Sequence, residues 1–319
     1  MKSPFHTSLN SSESVVLSAE ETASLLPYGE LAKEIELLLK DDSVEVPPRL
    51  VQPLTGGASL FVMPALDANL AIAKLITFTP SNAGTNRPTI QGDVMVFDIS
   101  TGVRRLILDG PTVTARRTAA VSLVAAKMLA CNPTGPLLIV GAGVQGRAHL
   151  EAFVLEMGID EVMIVSRSEE SSRSLADYAI SLGVAARVVT DPDVALAQCP
   201  LVVTCTPANA IVLKSLPRTD AFVSAVGAFT SKMAELSDDF CRYVFVNGRV
   251  VVDTSDAFDE AGDLLKANID VRGCPTLKEV IRGPRSVSAG PTLFKSCGWA
   301  GWDLAAARTA VRARDANTT

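Results

Sequence analysis

Three glycines carry the first chemical signal. Gly141, Gly143 and Gly146 stand in G-x-G-x-x-G spacing within PLLIVGAGVQGRAH, residues 136–149. Ahead of them, 137–140 is a short apolar run of the kind that forms a parallel strand buried on both faces. Behind them, 147–155 (RAHLEAFVL) reads as a helix. Strand, glycine turn and helix in that order form the dinucleotide fingerprint. Gly141 allows the tight turn, Gly143 leaves room for a pyrophosphate, and Gly146 lets helix and strand pack closely. Val144 and Gln145 complete the turn, where unpaired N–H groups at the helix start would receive the anion.

The end of the next strand selects the cofactor. NAD sites carry Asp or Glu about 20 residues after the glycines, to hold the ribose 2′-hydroxyl. Here Ser166, Arg167 and Ser168 occupy that place. No carboxylate repels a 2′-phosphate, and a guanidinium with two hydroxyls suits one. NADPH is therefore expected, with NADH as the alternative.

Three cations form a second group. Arg49 follows two prolines, whose stiff backbone would hold it in place. Lys74 interrupts an apolar strand, LAIAKLITF, and shares a face with Ile72 and Ile76. Arg117 lies on a helix leading into the fingerprint strand. A charge on an apolar face needs a partner. The sequence places no carboxylate obviously for them, so a substrate carboxylate is the expected partner. The competing reading makes Arg49, and Arg116 or Arg117, ordinary surface charges. Lys74 has a second candidate role in proton supply, since burial lowers a lysine pKa.

Composition removes other chemistries. The 319 residues suffice for two domains, and 48% are hydrophobic against 20% charged. The net charge of −6, with scattered basic residues, argues against nucleic-acid binding. No apolar stretch approaches the roughly 18 residues of a membrane span. The first residues lack the pattern of a secretory signal. The six cysteines show no paired metal spacing and read as reduced thiols, so no metal and a cytoplasmic setting are expected. His6 and His149 are the only histidines. A serine triad, a histidine metal site and a histidine relay are accordingly not expected.

The elements that must position these groups follow from pattern. Residues 1–14 are polar and Ser-rich, and are expected to be disordered. A short strand at 15–17 precedes a helix opened by the Ser18/Glu21 capping box, and 28–39 forms a second, amphipathic helix. From 46 to 108, five short runs punctuated by Gly, Pro and Asn predict a mixed or antiparallel sheet. The stretch 114–129 predicts a long helix bridging two domains. Beyond the fingerprint, strands are expected at 162–165, 201–206, 221–226, 244–246 and 250–252, with helices at 169–182 and 258–265. A last helix at 300–311 is expected to pack back on the first domain. The expected fold is α/β. A Rossmann-type doubly wound dinucleotide domain (118–295) joins an α+β substrate-binding and dimerisation domain (1–117 with 296–319).

Taken together, PPR at 47–49, Lys74 in its strand, TARRTAA at 114–120, GAGVQG at 141–146, AVGA at 225–228 and FKSCGWAGWD at 294–303 resemble the ornithine cyclodeaminase and mu-crystallin family over nearly the whole chain. The resemblance implies a homodimer built through the first domain. It also implies a substrate site between the domains, with a carboxylate held by Arg49, Lys74 and Arg117. Ornithine cyclodeaminases carry an aspartate after the strand-end glycines, whereas the matching position here is Phe229, which exchanges no proton. With Ser166 and Arg167, this points to the ketimine reductase branch, and VGAFTSKM looks most like bacterial Δ1-pyrroline-2-carboxylate reductases.

The implied reaction is hydride transfer from NADPH to C2 of a cyclic ketimine acid, Δ1-pyrroline-2-carboxylate or Δ1-piperideine-2-carboxylate, giving L-proline or L-pipecolate. Phe229 would wall the ring. The resemblance also brings the loop with Lys295 and Ser296 near the nicotinamide. For that pair, capping or pairing with Asp303 is an equal alternative, and Thr206 has the same two readings. Other activities of the family are an alanine dehydrogenase, an N-alkyl amino acid synthase, an ornithine cyclodeaminase and a non-enzymatic binding protein.

Overall fold

The computed structural model describes residues 15–82, 84–207 and 210–318. The tail 1–14, including His6, lies outside the described residues. The strands are β1 (Val15–Val16), β2 (Leu50–Pro53), β3 (Ser59–Leu66), β4 (Leu70–Phe78), β5 (Ile90–Asp98), β6 (Arg104–Asp109), β7 (Leu137–Val140), β8 (Glu161–Val165), β9 (Ala185–Val188), β10 (Leu201–Thr204), β11 (Phe222–Ala225), β12 (Arg249–Val252) and β13 (Thr292–Lys295). They form two sheets.

The first sheet runs β1-β6-β5-β4-β3-β2. It is antiparallel except for the parallel pair β1 and β6, and so it is mixed. Alternation sets its faces: along β4 Leu70, Ile72, Lys74 and Ile76 are buried, while Leu75 points out. The second sheet, β12-β13-β11-β10-β7-β8-β9, is parallel throughout. Its central strands β7, β10, β11 and β13 are fully buried, as continuous apolar runs covered on both faces require. The chain works outward from β7 to β9, then returns to β10 on the other side of β7. The switch point therefore lies between β7 and β10, where ligands bind at strand C-termini in open α/β sheets.

Two long helices join the sheets. The bridging helix Gly110–Leu129 begins four residues before the expected start, because Asp109 caps it by accepting from the Thr112 N–H at 2.8 Å and Pro111 suits its first turn. It runs unbroken through residue 118. The C-terminal helix Ala300–Thr318 leaves β13 and packs against helix Tyr28–Lys40, the bridging helix, β3 and β4. Trp302, Leu304 and Ala305–Ala307 are buried on its inner side. Midway along it Arg308 reaches Asp67 at 2.5 Å and Asp41 at 2.6 Å. No helix among the described residues is long and apolar enough to cross a membrane.

Several elements differ from expectation. The expected strand at 244–246 is part of helix Asp238–Asn247. Ser237 caps this helix, two aspartates sit in its first turn, and Phe240, Cys241 and Val244 are buried at helical spacing, which outweighs three β-prone residues. The expected helix at 258–265 is split into Ala257–Glu260 and Gly262–Lys266. Strands β10 and β11 end two and one residues early, at Thr204 and Ala225. Strands β9 and β13 were not read from the sequence. Lys295 concealed β13, since a lysine at a wholly buried strand end is uncommon.

Candidate active site

The fingerprint turn folds as its glycines require. Gly141 has φ of 116°, and a Cβ there would lie 2.9 Å from the Cys205 carbonyl oxygen. A Cβ on Gly146 would lie 2.0 Å from the Gly141 carbonyl oxygen. At Gly143 a Cβ would meet nothing within 4 Å. Gly143 caps helix Val144–Met157 without a side-chain hydrogen bond, so the first N–H groups of the helix have no side-chain partner. An open approach to a helix start fits a dinucleotide pyrophosphate. At the end of β8, Ser166 is half-buried and Arg167 is exposed. The Ser168 hydroxyl caps helix Glu169–Ser181, accepting from the Ser171 N–H at 3.2 Å.

The loops after β10, β11 and β13 are fixed by buried carboxylates. Glu235 accepts from the Thr206 N–H at 2.7 Å, the Thr206 hydroxyl at 2.9 Å, the Gly227 N–H at 2.8 Å and the Ala228 N–H at 3.2 Å. Burial raises the Glu235 pKa, against the pull of Lys295. Asp263 accepts from the Glu235 and Leu236 N–H groups and lies 2.8 Å from Lys295 Nζ. Burial opposes the charge of Lys295, yet Asp263 and Glu235 carry its pKa upward. Asp253 accepts from the Ser296 hydroxyl at 2.8 Å and from the Cys297 and Gly298 N–H groups at 2.9 and 2.8 Å. Lys295 pairs with Asp263 and the Ser296 hydroxyl donates to Asp253, so the pairing with Asp303, one form of the structural alternative read from the sequence, is not made. Thr206 and Ser296 stand at the strand ends, and both are held by carboxylates that sequence spacing did not single out.

Asp303 belongs to the cations of the first domain. Lys74 Nζ donates to Thr114 Oγ1 at 2.7 Å and to Asp303 Oδ1 at 3.0 Å. Arg117 Nε lies 3.4 Å from the same carboxylate oxygen. Lys74 and Asp303 are fully buried, and Arg117 is 7% exposed. Burial lowers the Lys74 pKa to about 8; Asp303 opposes the shift and Arg117 adds to it. The guanidinium nitrogens of Arg117 lie beside Gly298, 3.5 and 3.6 Å from where a Cβ would stand. Lys74 and Arg117 therefore converge, next to the loop that follows β13. Gln145 of the fingerprint turn links to the same place, donating to the Thr114 carbonyl at 3.5 Å.

The expectation that no protein carboxylate serves these cations is corrected. Asp303 serves Lys74 and Arg117, and Glu260 on helix Ala257–Glu260 makes an ion pair with Arg49. Both partners lie more than 180 residues away in sequence, so spacing did not reveal them. Arg49 thus bridges from the first sheet's side to the parallel sheet's side, through Glu260 and not through Asp303. Arg116, next to Arg117, has a different environment. It donates to the Leu26 carbonyl at 2.8 Å and stacks over the Tyr28 ring.

Phe229, in the loop after β11, meets Phe78 at the end of β4. Phe78 lies four residues beyond Lys74 and on the same face of the strand. An apolar wall therefore stands on the same side as the cations. His149 is wholly buried, with Nδ1 2.7 Å from the Gln145 carbonyl and Nε2 2.9 Å from the Ser122 hydroxyl. It is a packed residue of the fingerprint helix. Between the two sheets the chain thus assembles a dinucleotide cradle, a cationic pair and an aromatic wall.

Known proteins resemble this chain in sequence and in fold. The family model for the ornithine cyclodeaminase/mu-crystallin family matches residues 12–317. The Δ1-pyrroline-2-carboxylate reductase 1 of Burkholderia multivorans is 38% identical over 303 residues, covering 94% of this chain and 96% of that protein. The Δ1-pyrroline-2-carboxylate/Δ1-piperideine-2-carboxylate reductase of Azospirillum brasilense is 37% identical over 299 residues, covering 92% and 94%. The fold matches the Thermococcus litoralis Δ1-pyrroline-2-carboxylate reductase solved with NADH and L-proline, with a TM-score of 0.86, 23% identity and coverage of 96% and 98%. With its family model spanning almost every residue and its relatives aligned nearly end to end, the chain belongs to the ornithine cyclodeaminase/mu-crystallin family.

Proposed function

We propose that this chain is an NAD(P)H-dependent reductase of cyclic ketimine acids, converting Δ1-pyrroline-2-carboxylate, Δ1-piperideine-2-carboxylate or both to L-proline and L-pipecolate. The observation that carries the reading is the buried pair of Lys74 and Arg117 beside the strand-end loops, with Phe229 meeting Phe78 edge-on. The end-to-end reductase relatives agree with it.

Lys74 and Arg117 bind the substrate carboxylate. Two cations share one protein carboxylate, which leaves one positive charge for the ligand. Arg49 adds a third cation, shared with Glu260. Phe229 and Phe78 hold the apolar side of the ring and exclude water. The bound nicotinamide supplies the hydride to C2. An imine nitrogen that arrives protonated requires no acid from a histidine. Positioning is the main contribution of the protein.

Gly141, Gly143, Val144, Gln145 and Gly146 would hold the pyrophosphate. Ser166, Arg167 and Ser168 would hold the 2′-phosphate, favouring NADPH over NADH. Thr206 and Ser296 would line the nicotinamide end. We also propose a cytoplasmic homodimer joined through the first sheet. Leu50, Val62 and Leu75 are cross-strand neighbours on its outer face, and Leu50 and Leu75 are 56% and 40% exposed.

The test is NADPH oxidation with Δ1-pyrroline-2-carboxylate, compared with pyruvate plus ammonia or methylamine, and with ornithine plus NAD. Oxidation confined to the cyclic ketimine supports the reading. Absence of ketimine turnover overturns it and favours a dehydrogenase or a binding protein.

A further inference from the structure

Asp303 is a wholly buried carboxylate at the start of the C-terminal helix. Its Oδ1 lies 3.0 Å from Lys74 Nζ and 3.4 Å from Arg117 Nε. Its Oδ2 is buried without a hydrogen-bond partner. The other neighbours of Lys74 carry no charge that could replace it. Met63 and Val94 are its cross-strand partners, and Thr114 offers only a hydroxyl. Arg117, from the bridging helix, repels the ammonium. Among the described residues Asp303 is the one carboxylate within ion-pair distance of Lys74.

We propose that Asp303 is a positioning residue, whose carboxylate keeps Lys74 charged next to Arg117 and sets the pair at one net positive charge, matched to a single ligand carboxylate. It rests on the proposed carboxylate site and names what maintains that site. A buried lysine beside an arginine loses its proton readily, because desolvation and a like charge both disfavour the ammonium. One carboxylate shared by the two cations opposes both effects. It also fixes the separation of the cations, since both approach the same oxygen. The pair is thereby held ready for a ligand that presents two oxygens on one carbon. Lys74 has three donors and spends two, on Thr114 and Asp303.

The test uses pyrrole-2-carboxylate, a planar ring acid that cannot accept hydride, titrated calorimetrically into NADPH-loaded protein between about pH 6 and 10. Wild-type affinity is expected to fall as Lys74 loses its proton above about pH 8. In Asp303→Asn the fall is expected to begin one to three pH units lower, giving a loss of ~2- to ~100-fold near neutral pH that narrows toward acid. Asp303→Glu, with the carboxylate displaced by one methylene, is expected to fall between the two. If the Asn variant does not fold, the Glu variant against wild type carries the same comparison. A downward shift supports the proposal. A loss parallel to wild type at every pH, or a limb that does not move in the variants that fold, overturns it. Ketimine turnover by the wild type is measured alongside. Its absence with pyrrole-2-carboxylate still bound removes the assigned reaction and leaves the role of Asp303 to the titration. Absence of binding by the wild type removes both.

Discussion

The rings of Phe229 and Phe78 meet edge-on, with centroids 6.1 Å apart and planes at 84°. One ring belongs to a loop at the end of the parallel sheet, the other to the strand that carries Lys74. Phe229→Ala opens this wall. The expected result is a ~10-fold rise in KM for the five-membered ketimine, from lost apolar contact, with kcat less affected. The six-membered ring should lose less. Steady-state kinetics on both substrates decide it. Equal loss for both rings, confined to kcat, would remove the role in ring packing.

Arg116 and Arg117 provide a matched pair on one helix. Arg117→Ala is expected to cost about 1.5–3 kcal/mol of binding, a ~10–100-fold loss in kcat/KM. Arg116→Ala removes the bond to the Leu26 carbonyl and the stacking on Tyr28, so it should lower the melting temperature with kcat/KM within ~3-fold of wild type. Kinetics and thermal melts of the two variants are the check. Similar kinetic losses in both would show that adjacency on the helix, and not the carboxylate site, explains the effect.

Arg167 is exposed at the end of β8. Arg167→Ala is expected to lower kcat/KM with NADPH by ~10-fold or more while leaving NADH nearly unchanged, since only the 2′-phosphate is lost as a partner. Cofactor kinetics measure the ratio. An unaltered ratio would assign Arg167 to solvent.

Much of this site is local in sequence and therefore legible there. The glycine turn, the strand ahead of it and the helix behind it lie within a few turns of chain. Lys74 was legible because a charge stood among alternating apolar residues. Asp303 was not legible as its partner. Their meeting depends on how a helix at the far end of the chain settles on β4. The same holds for Glu235, Asp263 and Asp253, whose carboxylates bind N–H groups of separate loops. Val244–Val246 was misread because β-branched and aromatic residues favour strands locally, while the cap at Ser237 and the burial of Phe240 decided for helix. Five of the seven parallel strands were legible as apolar runs, but β13 was hidden by the lysine that the fold buries against Asp263.

His149 gives a stability prediction with a definite sign. Burial lowers its pKa to about 4, below the ordinary 6.5, so the unfolded chain takes up this proton first as pH falls. Its neutral form supports the fold fully above about pH 6.5, and that support is lost toward pH 4, by up to about 3 kcal/mol. His149→Gln should flatten this part of the profile by a similar amount. Chemical denaturation of both proteins across that window tests it, and superimposable profiles would remove His149 as the source.

The chain passes between its two sheets along the bridging helix and again at the segment from β13 to the C-terminal helix. Side chains tie the same two parts again, Arg49 to Glu260 and Arg282 to Asp42. Residues 296–299 form the second crossing, pinned to Asp253, and Asp303 stands in the first turn of the helix that follows. The carboxylate that meets Lys74 and Arg117 is therefore joined by a few residues of chain to the end of a parallel strand, so the position of that strand end and the position of the cation pair are set together.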